Sequence, residues 1–404
     1  MVQTGQARGN QRIETVDMLR GFALAGLFLV HVMESFELHW MHPVSAPPSD
    51  AVFMLLMGKS FALLAMCFGF SFFILMDRAE KRGEDFTARF AWRLTLLFGI
   101  ATIHTYIYRG DIMQTLALLG FPLLLVNRIK DNRVILAIAI FCLAGPIGIA
   151  QIAISWFTGY PGPGNPPTHW QDPAMRVYLH GSYWDVLRTN LWIGQWPKWW
   201  YAIESGRMVQ IFGLYLIGLL LGRIGFFADP GRYTRQRWIA FVLIGGFALI
   251  MYFALHPLIE AFRTAGWSDG AVRAFTWLIG SWYDFAGSMT WMLVIVALSR
   301  TFVRHILQPL VPMGRLTLTL YVAQSIVCLP LFYGFGLALH DKLDAWQRLW
   351  LGLGGIALQM AFAAVWLHWF RYGPLEWVWR ALTYWGRKVP LLRREAKPAA
   401  PAAF

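Results

Sequence analysis

Ten mostly apolar runs of roughly spanning length dominate the chain, and a helix needs about 20 such residues to cross the hydrocarbon core of a bilayer. They lie near 17–35, 51–76, 92–108, 112–127, 134–157, 208–226, 237–257, 275–299, 314–338 and 349–370. Hydrocarbon offers no hydrogen-bond partners, so each run must satisfy its own backbone as a helix. The pattern predicts an all-α, polytopic membrane helix bundle of about ten transmembrane helices, within a range of nine to eleven. The fourth run is short, and the ninth is long enough to tilt or break. Composition agrees: 57% of residues are hydrophobic and 14% charged, against roughly 25% charged in soluble domains. Twenty-one Trp and fourteen Tyr fit a chain with two membrane–water interfaces.

The net charge of +13 is spread in short runs between apolar segments, which argues for membrane topology and against nucleic-acid binding. With a cytoplasmic N-terminus, the inner segments hold 25 of the 35 Lys and Arg, among them Arg8, Arg12 and Arg20, the group from Arg78 to Arg93, and the tail from Arg371. The outer segments hold nine, including Arg109, Lys198, Arg207 and Arg348, and Lys59 falls inside a span. The positive-inside rule therefore predicts both termini in the cytoplasm of a bacterial inner membrane. The first apolar run lacks a small-residue cleavage site and is expected to be retained. Cys67, Cys142 and Cys328 are scattered through apolar runs, so neither a disulfide framework nor structural zinc is expected.

Four segments follow: an N-terminal membrane half, 1–157; a Trp- and Pro-rich external loop, 158–207; a C-terminal membrane half, 208–385; and a basic, Ala/Pro-rich cytoplasmic tail, 386–404. The loop opens on Pro161, Pro163, Pro166 and Pro167, then carries Trp170, Trp184, Trp192, Trp196, Trp199 and Trp200. Two readings fit it. It is an interfacial helix whose tryptophans lie on the membrane surface, or a lid or cleft in which aromatics stack on sugar rings.

Ionisable groups at membrane depth cost about 2.5–3.5 kcal/mol each on insertion scales and so mark candidate sites. The first span carries Asp17, Arg20 and His31. Eleven helical residues separate Arg20 from His31, so the two share a face and stand about 16 Å apart along the axis. That geometry suits a ligand with an anionic head at one end and a reacting group at the other. Asp17 and Arg20 are equally ordinary as a helix-terminal acid and a snorkelling base, and His31 equally fits a histidine bonded to a neighbouring helix. A neutral imidazole can take a proton from an attacking hydroxyl or amine. His39-x-x-His42, with Glu34 and Glu37, has a generic metal spacing that Pro43 disturbs, and no metal is predicted. Lys59, inside the second span, reads as a snorkelling base or as the partner of a charged group or phosphate. Asp111, Gln114, Asp284 and Gln324 are further cavity candidates, each also readable as a packing group.

These residues resemble a known family. Asp17-Met18-Leu19-Arg20-Gly21 with His31 resembles the opening of transmembrane acyltransferases; in the bacterial O-acetyltransferase branch a similar Arg-Gly precedes a functional histidine by eleven residues. The closer resemblance is to the YeiB-like (DUF418-type) bacterial inner-membrane proteins. It rests on Gly58-Lys59 through Phe68-Gly69-Phe70, Leu97-Phe98-Gly99 through His104, and Gly110-Asp111-Ile112 with Ala117-Leu118-Leu119-Gly120. It continues through Gly181-Ser182-Tyr183 with Val186-Leu187-Arg188, Met313-Gly314-Arg315 through Gln324-Ser325, Phe332-Tyr333-Gly334-Phe335-Gly336, and Tyr372-Gly373-Pro374-Leu375-Glu376-Trp377.

The resemblance implies grouping with heparan-α-glucosaminide N-acetyltransferase and the O-acetyltransferases, which pass an acyl group from cytoplasmic acyl-CoA to an acceptor across the membrane. In the glucosaminide branch an Asn stands where His31 stands and a functional His follows eleven residues later, a position held here by His42. Either histidine is thus a catalytic candidate. The expected function is transfer of an acyl group, acetyl above all, from acyl-CoA to an external glycan or glycolipid. Arg20, Arg89 and Arg93 would bind the CoA phosphates. His31 or His42 would act as base or carry the acyl group, with Lys59 or Gln114 stabilising the oxyanion. The alternative is a transporter or efflux protein using the same cavity without covalent chemistry. Membrane lipid is an expected partner, and oligomerisation stays open.

Overall fold

The computed structural model describes residues 13–164, 173–228, 232–386 and 389–393. Arg8, Arg12, Pro166, Pro167, Trp170, Arg387, Lys388, Arg394 and Lys397 lie outside the described residues, as does most of the expected tail. Among the described residues the fold is all helical, with one isolated bridge between Phe370 and Leu392. Five helices among the described residues are long and apolar enough to cross a membrane, or seven if each of two bent pairs is one span. They mark a membrane protein.

The centre is α1 (Glu14–Met33), whose apolar window is 83% buried. Then come α2 (Pro47–Leu56), α3 (Lys59–Glu80), α4 (Thr87–Ile107) and α5 (Met113–Val126), followed by α6 (Asn132–Leu143) and α7 (Pro146–Thr158). Beyond a segment of short helices, α11 (Arg207–Arg223) packs along α3, and α12 (Thr234–Thr264) along α13 (Asp269–Leu298). The C-terminal part holds α14 (Arg304–Leu307), α15 (Leu310–Arg315), α16 (Thr317–Phe332), α17 (Ala345–Trp369) and α18 (Pro374–Thr383). The windows of α12 and α17 are only 6% and 11% buried, so these apolar helices form the outside of the bundle, where lipid would cover them.

Each expected apolar run falls on a helix or a helix pair, but three are interrupted. The run 51–76 is broken between α2 and α3, where Met57 is extended and Gly58 has φ +74°. The run 134–157 bends by 43° at Ala144–Gly145, because Pro146 supplies no N–H to continue α6. The run 314–338 breaks at Leu316 and leaves its helix after Phe332. The length of the ninth run anticipates its break, whereas apolarity alone does not register the other two.

The stretch 158–207, expected as an external loop, is largely helical among its described residues. It contains α8 (Pro173–His180), α9 (Tyr183–Leu191) and α10 (Gln195–Glu204), the last meeting α11 at 66°. Ser182 and Asp185 cap α9 reciprocally, and the Ser182 hydrogen bonds hold the exposed Asp185 carboxyl below its usual range. Trp184, Trp192 and Trp196 are 67%, 82% and 65% exposed, which favours the surface reading for these aromatics. The inner face of α10 instead closes over the bundle.

Small residues set the tightest helix crossings. A Cβ on Gly21 of α1 would overlap the Leu310 carbonyl, and one on Gly314 of α15 would overlap the Asp17 carbonyl. Neither backbone can yield without moving its helix. Gly21→Val is therefore expected to destabilise the protein by about 1–3 kcal/mol, the cost of overpacking. The measurement is the thermal midpoint in detergent, against Gly354→Val, where a Cβ has open space, as the near-neutral control.

Candidate functional site

The C-terminal end of α1 is shaped by three successive non-glycine residues in the left-handed region, Ser35, Phe36 and Glu37, at φ 49°, 51° and 80°. Such residues cost about 1–3 kcal/mol each and need support from their surroundings. Phe36 provides some through complete burial. Arg348 of α17 provides more, donating to the Met33 carbonyl at 3.1 Å and to Ser35 Oγ at 3.2 Å. The turn brings Glu34 and Glu37 back to the cavity that His31 lines.

That cavity has a volume of about 630 Å³ and draws its walls from α1, the α2–α3 break, the α4–α5 turn, α10, α13 and α16. His31 Nδ1 lies 3.5 Å from Glu34 Oε2 and 3.3 Å from Tyr108 Oη, and its ring stacks on Phe36. Glu34 Oε1 accepts from Trp40 Nε1 at 3.1 Å. With the His31 proton on Nδ1 facing Glu34, Nε2 carries the lone pair, the arrangement a general base requires. Glu37 accepts from Arg109 Nε at 2.7 Å, and Lys198 of α10 donates to Gln114 Oε1 at 2.7 Å.

Lys59, the first residue of α3, reaches Asp284 Oδ1 of α13 at 2.8 Å and the Met57 carbonyl at 3.1 Å. Its ammonium lies 3.9 Å from the centre of the Tyr283 ring. The pair lines the same cavity, and Asp284 presses on Gly58 where a Cβ would stand. Lys59 is therefore an ion-paired wall residue at a helix break rather than a cation inside a continuous span.

A second cavity, about 260 Å³, lies around Arg20, eleven residues along α1 from His31. Arg20, Arg93, Arg315, Arg371 and Arg380 line it with one carboxylate among the described lining residues, Glu376. That carboxylate is engaged by the start of α16: it accepts from the Leu318 N–H at 2.7 Å, the Thr319 N–H at 3.1 Å and Thr319 Oγ1 at 2.5 Å. Arg20 bonds Asp17 at 3.2 Å and also donates to Ser71 Oγ. Arg93 lies flat on Trp379, 3.6 Å from the ring centre. Ile112 and Tyr321 line both cavities and form the partition between them.

The candidates thus sort by place. His31, Lys59 and Asp111 line the large cavity, and Arg20 and Arg93 line the basic one. Gln114 stands behind the wall on Lys198, while Asp17 is buried beneath Arg20. Three fall elsewhere. His42 sits exposed at the end of the short 3₁₀ turn Leu38–Met41, outside either lining, because the left-handed turn ends α1 before it. Arg89 packs against Phe86 and Tyr384 beside a different cavity. Gln324 bonds Gln359 at 2.7 Å and joins α16 to α17. Among the described residues no three of His, Cys, Asp and Glu converge as a metal site.

Tyr108, Lys198, Tyr321, Arg371 and Arg380 were not singled out by sequence reasoning. Tyrosines and interfacial arginines are common in membrane chains, and only packing shows that these face cavities. Lys59→Ala, which strands Asp284 in the wall, is expected to lower stability by about 2–3 kcal/mol, the low end for a broken pair because Asp284 stays 21% exposed. Thermal unfolding in detergent checks this, with Lys59→Met combined with Asp284→Leu expected to recover most of the loss.

Residues 221–386 match the family described as "Protein of unknown function (DUF418)". Over 93% of its length the chain is 26% identical to the "Uncharacterized protein YxaH" of Bacillus subtilis (strain 168), covering 95% of that protein. It is 25% identical to the "Uncharacterized protein YeiB" of Escherichia coli (strain K12), over 92% of this chain and 96% of that one. A protein encoded in an amylase 3' region of Bacillus acidopullulyticus is also 25% identical, with 96% of this chain and 98% of the relative aligned. These alignments run over most of the chain, which is YeiB-like along its length and carries the DUF418 match in its C-terminal part.

Proposed function

We propose that this protein is a transmembrane acyltransferase of about ten spans, with both termini in the cytoplasm of a bacterial inner membrane. It takes an acyl group, acetyl foremost, from cytoplasmic acyl-CoA and passes it to an external glycan or glycolipid. The observation that carries the reading is the pair of cavities on α1, basic at Arg20 and histidine-bearing at His31, meeting at a thin partition. The positive-inside rule puts the arginine end at the cytoplasm. Guanidinium groups match phosphate oxygens in charge and geometry, so Arg20, Arg93, Arg315, Arg371 and Arg380 would hold the CoA phosphates. The pantetheine arm would then point along α1 toward the partition. On the far side His31, oriented by Glu34, would take the proton of an acceptor hydroxyl or amine as it attacks the thioester carbonyl. Lys59 or Lys198 would offset the developing negative charge. Aromatic side chains at Trp40, Tyr201, Trp277 and Tyr283 give this cavity surfaces for a sugar ring.

One feature supports transport as a second reading. The helix break at Met57–Gly58 abuts the Lys59–Asp284 pair, buried at Lys59 and partly exposed at Asp284, and interrupted helices with ionisable side chains also line substrate paths in transporters.

Purified protein in proteoliposomes, given acetyl-CoA and a panel of hexose and hexosamine acceptors, is expected to release CoA thiol only when an acceptor is present. His31→Ala should lower kcat by about 100-fold or more, the usual contribution of a general base. Arg93→Gln together with Arg371→Gln should raise the KM for acetyl-CoA while changing kcat little. Acceptor flux across the vesicle wall without thiol release, undiminished in His31→Ala, would favour transport.

A further inference from the structure

The partition between the cavities is itself chemically equipped. Tyr321, buried on α16, lines both, and its Oη accepts from the Ile112 N–H at 3.3 Å. Against it lies His104 of α4, with ring centres 5.5 Å apart. His104 Nδ1 is 3.0 Å from Asp111 Oδ1, and the Asp111 carboxylate also faces the Tyr321 phenol. His104 and Asp111 are 2% and 1% exposed, and His104 Nε2 has no hydrogen-bond partner among the described residues. A buried, incompletely satisfied His–Asp pair is costly as mere packing, and neither the base at His31 nor the arginine cavity makes use of it.

We infer that the Tyr321 phenol is the acid that protonates the departing thiolate where the two cavities meet, with the His104–Asp111 pair as its proton reserve. This rests on the acyl-transfer reading. A thioester reaching from the arginine cavity toward His31 must pass Ile112 and Tyr321, so its sulfur comes to the phenol as its carbonyl comes to the acceptor. The acceptor oxygen or nitrogen bonds to the acyl carbon while its proton goes to His31. The C–S bond breaks, its electron pair stays on sulfur, and the Tyr321 proton passes to that sulfur. The phenolate keeps the Ile112 N–H hydrogen bond and is reprotonated from the pair. Asp111 and His31 both line the large cavity, where the pair regains a proton and the imidazolium loses one by exchange with water. One proton leaves the acceptor and one reaches the thiol, and no other reactant is consumed.

The test is Tyr321→Phe in the full-length protein, which keeps the ring in the partition and removes only the hydroxyl. With acetyl-CoA, kcat is expected to fall about 100-fold, within the range of acid–base catalysis, while calorimetry gives the wild-type dissociation constant for CoA. The alkaline limb of the wild-type pH–rate profile, where the acid must still hold its proton, is expected to vanish. His104→Gln is expected to move that limb without changing CoA affinity. A Tyr321→Phe enzyme within twofold of wild-type kcat would overturn the assignment, as would a loss matched by weaker CoA binding or a persistent alkaline limb. An unmoved limb in His104→Gln would remove the reserve alone. No thiol release from the wild type with any acceptor would instead overturn the acyl-transfer reading, and this inference with it.

Discussion

Charge pairing inside an apolar bundle organises this structure. A lone charge at membrane depth is expensive, and several interior charges here are held in pairs, two of which tie together segments remote in sequence. Lys59 with Asp284 ties the start of α3 to α13, and Arg109 with Glu37 ties the α4–α5 turn to the turn after α1. His104 with Asp111 closes the α4–α5 turn on itself, and Arg348 holds the left-handed end of α1 from α17. Because breaking such a pair strands its partner in a medium of low polarity, each acts as a positional constraint more than as a source of net stability. The large cavity is the space these constraints keep open.

The helix interruptions serve the same space. At Met57–Gly58 the chain gives up helical hydrogen bonds, and α3 restarts with Lys59 turned to Asp284. At Leu316 a break separates α15, pressed on α1 through Gly314 and Gly21, from α16, which carries Tyr321. Close backbone approach on one side of that break and a partition residue on the other allow one segment to be rigid while its neighbour faces a cavity. In the arginine cavity, Glu376 accepts from the amides at the start of α16, while five arginines line the same space.

Much of this could be read from residues in a line. The apolar runs are long and their chemistry is local, so the helices follow from the bilayer's demand that each segment satisfy its own backbone. Arg20 and His31 could be placed on one face of α1 because helical geometry relates residues eleven apart without reference to anything else. His42 shows where such spacing fails. Another eleven residues on, it would share that face only in a continuous helix, and Ser35, Phe36 and Glu37 end the helix first. Arg89 and Arg93 lie four apart on α4 and look equivalent in sequence, yet Arg93 enters the basic cavity and Arg89 lies beside another, according to which part of α18 and its following turn each meets.

By itself the sequence determined the helical class, the membrane setting and the axis from Arg20 to His31, since these depend on composition and on contacts within one helix. Tertiary structure alone decided that Asp284 answers Lys59, that Arg371 and Arg380 join Arg20, and that Tyr321 and Ile112 stand between two cavities. Those relations bring together residues tens to hundreds of positions apart. The apolar pattern that drives the helices to pack leaves open which faces meet, and it is the burial of charge and the close approach of glycines that select them.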